Sequence, residues 1–298
     1  MARSPLSCYR MTKPLDWIIV SSNANFANSQ SSLPEGDAAG ESQLPFWKRS
    51  HYLDRMTFGE LVRAYFQHYT IMAYLGLTVA AIVAFAFYPA GFWATIFSIG
   101  AALFVYPLAW HLLHQYVLHG KWMWKSKLLS PTWKRIHYDH HQDPNHLEVL
   151  FGALHTTLPT IAVATVPVGW LIGGPGGALA AFATGLLTTC YYEFMHCIQH
   201  LAFKPKYKWV QTMKQRHNEH HYFDETGNFG ITNYAWDRVL GTFYEKKERS
   251  KRSPTVFNLG YDEEIAKTYP WVKELSGGIA SGHPRRRAIR EKDAAAKG

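Results

Sequence analysis

Ten of the sixteen histidines in this 298-residue sequence fall into four compact boxes. His114 and His119 form HX4H (HQYVLH). His137, His140 and His141 form HXXHH (HYDHH). His196 and His200 form HX3H (HCIQH). His217, His220 and His221 form a second HXXHH (HNEHH). On a helix, positions i, i+3 and i+4 share one face. Three of the boxes therefore each present a convergent set of imidazoles. The i, i+5 pair is different: His114 and His119 lie about 140° apart on a helix of about 3.6 residues per turn. They bracket a helix end or serve two different ions. Imidazole suits Zn, Cu, Fe and Ni alike, so the boxes alone give a metal site without naming the metal. Ten ligands are too many for one ion and fit two, with positions left open. Ligating histidines usually pass their other N–H to a carboxylate or carbonyl. Asp139, Glu193 and Glu219 lie close enough in sequence to be such partners, and Asn228 follows the last box.

The elements that must carry these boxes are marked by where charge is missing. No Asp, Glu, Lys or Arg occurs over 64–120, a run of 57 residues, nor over 149–192, a run of 44. A bilayer-spanning helix needs about 20 apolar residues. Each run holds two such spans and a turn, with Pro89-Ala90-Gly91 in the first and Gly173-Gly174-Pro175-Gly176-Gly177 in the second. The expected fold is all-α: four transmembrane helices near 70–88, 91–112, 153–172 and 178–197, in two hairpins, with a cytosolic helical cap carrying the boxes. Each pair of boxes ends or follows a hairpin, so all four gather on one side of the membrane.

The formal net charge is +9, from 31 Lys and Arg against 22 Asp and Glu. Lys48, Arg49, Arg55 and Arg63 precede the first run. Lys121, Lys125, Lys127, Lys134 and Arg135 lie between the runs, and Lys204, Lys206, Lys208, Lys214 and Arg216 follow the second. The positive-inside rule then makes both termini cytoplasmic in a multi-pass protein of a bacterial inner membrane or the endoplasmic reticulum. Basic residues beside a bilayer attract anionic headgroups, and no nucleic-acid-binding module is present, so no nucleic-acid partner is expected. Trp47, Trp122, Trp124, Trp133 and Trp209 sit where interfacial aromatics belong. Cys8, Cys190 and Cys197 cannot make a disulfide framework, and Cys197 reads as a small packing residue. Three regions are expected: a polar, disordered segment 1–50 without a cleaved secretory signal, a membrane-embedded unit 51–250, and a basic, mostly disordered tail 251–298.

The order HX4H, HXXHH, HX3H, HXXHH on helical hairpins resembles the fatty acid hydroxylase superfamily of integral-membrane, non-haem di-iron oxygenases. Asn228-Phe229-Gly230-Ile231-Thr232, Trp236-Asp237-Arg238-Val239-Leu240-Gly241-Thr242 and Tyr192-Glu193 before His196 extend the resemblance over roughly 64–245. HX4H and the hairpin between His141 and His196 are similar to the fatty acyl 2-hydroxylase branch. Trp110 and Gln115 depart from that branch, where an acid and an arginine are frequent. The resemblance implies the ten box histidines as ligands to two iron ions, with zinc able to replace them in purified protein. It implies O2 as oxidant and hydroxylation of a lipid acyl chain, 2-hydroxylation of a fatty acyl or sphingolipid substrate in the first place. A sterol or carotenoid hydroxylase or desaturase of the same superfamily is the alternative. The His-Pro-Gly-Gly haem motif does not occur in this sequence, so a separate cytochrome b5-like protein or ferredoxin is expected to donate electrons. From other classes, a membrane metal transporter would spread its ionisable groups across the bilayer. A non-catalytic metal-binding protein would close its coordination shell.

Overall fold

The computed structural model describes residues 51–280, and the expectations for 1–50 and 281–298 lie outside the described residues. Those residues are helical, with a lone antiparallel bridge between Tyr52 and His146. Helix α1 (Phe58–Gln67) starts in a reciprocal cap. The Glu60 amide donates to Thr57 Oγ1 at 3.3 Å, and the Thr57 amide donates to Glu60 Oε2 at 2.8 Å. Such caps satisfy amides that the first helical turn leaves free, an effect of about 1 kcal/mol.

The first charge-free run folds as α2 (Tyr69–Phe87) and α3 (Phe92–Leu113), joined at Pro89-Ala90-Gly91 as expected. The second forms α7 (Leu154–His200), whose 47 residues are not one rod. Gly173 and Gly174 leave helical geometry, Gly174 at φ 58°, a conformation costly for any residue with a Cβ. On a straight helix, residues 161 and 185 would stand about 36 Å apart. Here a Cβ on Gly185 would sit 3.0 Å from Ile161 Cγ2 and 2.8 Å from Thr165 Cγ2. The two arms of α7 therefore run back along each other, and Gly185 is what lets them touch.

Three helical segments, Tyr69–Phe87, Phe92–Leu118 and Leu147–His200, are long and apolar enough to cross a membrane. Their outward faces carry Phe87, Trp93, Phe104, Val163 and Leu171 in the open, with Leu171 85% exposed. A water-facing monomer rarely shows so large an apolar surface, and lipid accounts for it. Buried Thr78, Thr165 and Thr189 return their hydroxyls to their own helix, Thr165 to the Ile161 carbonyl at 2.7 Å. In hydrocarbon such internal pairing is the available way to satisfy a polar group. The chain is thus a multi-pass membrane protein.

Inward faces hold the bundle together. Ile71, Tyr74, Leu61, Tyr65, Tyr106, Ile161 and Leu186 form part of one buried cluster. Tyr74 and Thr157 share a hydrogen bond, and Tyr65 donates to the Cys190 carbonyl at 2.5 Å. Cys197 is buried in the same cluster, as a packing residue would be. Gly176 of the α7 turn lies against the backbone of Tyr88, Pro89 and Ala90. The two hairpin turns therefore meet at one end of the bundle, and the histidine boxes occupy the other.

Beyond that end lie α4 (Ser130–Trp133), α5 (Asp139–Gln142), α6 (Leu147–Leu150), α8 (Lys208–Tyr222), α9 (Ala235–Val239), α10 (Glu263–Thr268) and α11 (Trp271–Leu275). Two expectations change here. Trp124 and Trp133 are 3% and 0% exposed, not interfacial. They pack in a second core with Met123, Tyr138, Leu259, Tyr261 and Val272, while Trp122 and Trp209 are about half exposed. Over 251–280, where a mobile tail is expected, the chain supplies part of that core, and Trp271 Nε1 donates to the Trp124 carbonyl at 2.7 Å. Basic composition masked these few apolar residues, which suffice once a partner core exists.

Candidate metal centre

Each box is delivered by the end of a helix. The α3 ladder widens after Leu113 into a π turn, His114–Leu118, in which the His119 amide bonds the His114 carbonyl at 3.0 Å. This i to i+5 closure is why HX4H works. The wider turn brings two rings that an α-helix would splay to centroids 5.0 Å apart. The pair does bracket a helix end, and it joins one group instead of two. Such π turns recur at functional sites. A second one, Lys134–Tyr138, carries His137 into α5, which holds His140 and His141. His196 and His200 end α7, and His217, His220 and His221 end α8.

All ten imidazoles converge. His140, His196, His200, His217 and His221 form one group, and His114, His119, His137 and His220 a second. His141 joins His220 and His221 between them. Within each group the candidate ligand nitrogens all lie within 4.8 Å of one another. Nε2 atoms face each other in pairs: His119 and His137 at 2.8 Å, His200 and His217 at 2.9 Å, His140 and His196 at 3.1 Å. Adjacent nitrogens about 2.1 Å from one ion, bonded at right angles, would stand about 3.0 Å apart. Hydrogen bonds between rings do not account for the whole arrangement. Nε2 of His114, His141 and His220 are buried without a protein partner, and buried polar atoms are normally satisfied. An all-imidazole donor set with unpartnered nitrogens aimed inward fits transition-metal ions.

Electrostatics point the same way. Burial and neighbouring histidines hold His220 down to about 3; burial above all does so for His141. Burial and adjacent imidazoles put His137, His217 and His221 well below the ordinary value. These rings are neutral near pH 7, the form that offers a lone pair to a metal.

The carboxylates named from sequence have other partners in the structure. Asp139 pairs with Lys134 at 2.8 Å. Glu219 binds Arg216 at 2.6 Å and Gln215 at 3.0 Å. Glu193 Oε1 accepts from the Gly152 amide at 3.2 Å and lies beside His196 on a cavity wall. Asn228 clamps Tyr244, donating to its carbonyl and accepting from its amide, both at 3.0 Å. Backbone carbonyls take the outer nitrogens instead. His114 Nδ1 donates to Phe229 O at 2.7 Å, His220 Nδ1 to Gly227 O at 2.7 Å, and His141 Nδ1 to Val256 O at 2.9 Å. Carbonyls carry no side-chain signature, so residue types could not reveal them. Asp237, within the Trp-Asp motif, was the available signal.

A cavity of about 200 Å³ opens onto both groups, with His114 and His137 from one and His140 and His196 from the other. Its remaining wall is mainly apolar and includes Trp110, Leu113, Val117, Ile136 and Leu150, with Thr156 and Thr160 along α7. Of the other histidines, His111 is buried beside Asp237, His51 and His146 bond Glu148, His68 stacks on Phe151, and His155 is exposed. None of these five joins a ligand group among the described residues.

Residues 99–242, which contain all ten histidines, match the family described as Fatty acid hydroxylase. The chain is 29% identical over 155 residues to the ceramide very long chain fatty acid hydroxylase SCS7 of Saccharomyces cerevisiae, covering 50% of this chain and 38% of that protein. It is 29% identical over 150 residues to the dihydroceramide fatty acyl 2-hydroxylase FAH1 of Arabidopsis thaliana, covering 50% and 61%. It is 25% identical over 164 residues to the fatty acid 2-hydroxylase of Homo sapiens, covering 55% and 43%. The matched region thus spans 38% to 61% of these relatives' lengths. A solved structure described as full-length scs7p, with only the hydroxylase domain visible, has the same fold at a TM-score of 0.54 and 20% identity. That likeness covers 78% of this chain and 97% of the other. Over residues 99–242 the chain thus matches the fatty acid hydroxylase family, and over about half its length it is similar to curated ceramide and fatty acyl hydroxylases.

Proposed function

We propose that the protein is a di-iron lipid hydroxylase that acts on an acyl chain, at the carbon next to the carbonyl in a fatty acyl or sphingolipid substrate. The observation that carries this reading is the apolar cavity that ends on imidazoles of both groups. A transporter needs a path across the bilayer, and a purely structural site has no use for a greasy approach.

His140, His196, His200, His217 and His221 would hold one ion, and His114, His119, His137 and His220 the other, with His141 between them. When bound, two irons would activate O2 so that, with two electrons and two protons from a separate donor, one C–H becomes C–OH and the second oxygen atom leaves as water. The chain's own residues do the rest. Trp110, Leu113, Val117, Ile136 and Leu150 hold the acyl chain and exclude water. The arms of α7 and helices α2 and α3 make four crossings. The boxes and both termini lie on the cytoplasmic side, where basic residues concentrate and an electron donor can reach the site.

Lipid mass spectrometry of host membranes with and without the gene tests this. The expected gain is acyl chains about 16 Da heavier, one inserted oxygen. A pool about 2 Da lighter would mean desaturation, and an unchanged lipid pool would remove the reading.

A further inference from the structure

The loop after α8 contacts the two histidine groups unequally. Gly227 O and Phe229 O take the Nδ1 protons of His220 and His114, both members of the four-histidine group. In the five-histidine group, Nδ1 of His140, His200, His217 and His221 meets no partner among the described residues. One short loop therefore fixes the ring orientation and tautomer of two ligands in a single group.

That loop is held by side chains that belong to neither histidine group. Asp237 is fully buried. Its Oδ1 accepts from the Phe229 amide at 2.7 Å and from Thr242 Oγ1 at 2.9 Å. Its Oδ2 accepts from the Gly230 amide at 2.9 Å, and His111 Nδ1 lies 3.5 Å away. Asn228, at φ 56°, clamps Tyr244 on the far side of the same turn. A carboxylate satisfying two consecutive amides leaves the Phe229 carbonyl little freedom to leave His114.

We propose that Asp237 is a positioning residue for one metal ion only, the ion of His114, His119, His137 and His220, acting through the loop at 227–230. The inference rests on the two-ion reading above. Loss of groups that orient a ligating histidine typically weakens metal affinity by about 10- to 100-fold. A carboxamide at 237 keeps one oxygen and turns an N–H toward a backbone N–H, so the loop loses an acceptor.

The test is anaerobic Fe(II) titration of the metal-stripped, detergent-solubilised full chain, read as ions bound per chain. Wild-type protein takes two. Asp237→Asn takes one at wild-type affinity and binds the second at least about tenfold more weakly. In a His200→Ala background, which damages only the five-histidine group, Asp237→Asn removes the remaining tight ion. Thr242→Val deletes one donor to the same carboxylate and carries the test if Asp237→Asn does not fold. It weakens the same ion by a smaller factor. Equal weakening of both ions, or two ions bound as in wild type, overturns the inference. Wild-type protein that binds no iron overturns the proposed function instead, a separate failure.

Discussion

His119 and His137 face each other Nε2 to Nε2 at 2.8 Å, across 18 positions of chain, one from the end of a π turn and the other from inside a second π turn. Removing either ring breaks the same ligand group. His119→Ala and His137→Ala are each expected to lower hydroxylation at least about 100-fold, with the far-ultraviolet circular dichroism spectrum unchanged. The double variant should be no worse than either single one, because both act on one centre. Additive losses in the double variant would show that the two rings work independently.

The cavity wall makes a second prediction. Thr160 lines it one helical turn above Thr156, away from the imidazoles. Thr160→Trp should shorten the space left for an acyl chain. We expect at least a tenfold fall in turnover with the longest chains, a smaller effect on short ones, and unchanged metal content. A uniform loss across chain lengths would place the substrate elsewhere.

The close approach of the α7 arms can be tested by size alone. Gly185→Leu forces a side chain against Thr165 and Ile161, where even a Cβ is 2.8 Å from its neighbour. Overpacking of this kind costs about 1–3 kcal/mol. A lower melting temperature in detergent is expected, and Gly76→Ala, which meets nothing within 4 Å, should leave it unchanged. Equal tolerance of both substitutions would contradict the folded-back geometry of α7.

Acid should destabilise the metal-stripped protein, and the sign follows from the histidines. His141 and His220 protonate only near pH 3 in the folded chain, because burial disfavours their charged forms. Unfolded, they take up protons near the ordinary imidazole value of 6.5. Between these limits the unfolded chain binds more protons, so stability rises with pH. The contribution is complete above about pH 6.5 and is lost progressively below it. Thermal melts of stripped protein at several values from neutral to acid should show a falling midpoint. A midpoint flat through this range would mean that these rings are not buried as described.

Much of this architecture was legible in residue types. Charge-free runs located α2, α3 and both arms of α7, because a charge in hydrocarbon is costly and its absence is therefore informative. Box spacing placed His196 with His200 and His217 with His221 on single faces. What escaped was backbone behaviour. The π turn under His114 uses ordinary residues, although the five-residue step to His119 hinted at it. The partners at Gly227, Phe229 and Val256 are main-chain oxygens with no residue-type signature, whereas the carboxylates of Asp139, Glu193 and Glu219 pair with Lys134, Gly152 and Arg216. Trp124 and Trp133 looked interfacial because their burial depends on Tyr261 and Val272, more than a hundred positions away.

In the proposed function, ten converging imidazoles hold metals that place an atom of O2 on a lipid. A single turnover of the purified, iron-loaded, reduced protein in detergent under 18O-labelled O2 follows that atom. The expected product is acyl chains about 18 Da heavier, with the label gone in His140→Ala and His220→Ala. Product about 16 Da heavier under the labelled gas would trace the oxygen to water. That result, or full labelling by the histidine variants, would rule out oxygen transfer from O2 at the histidine centre.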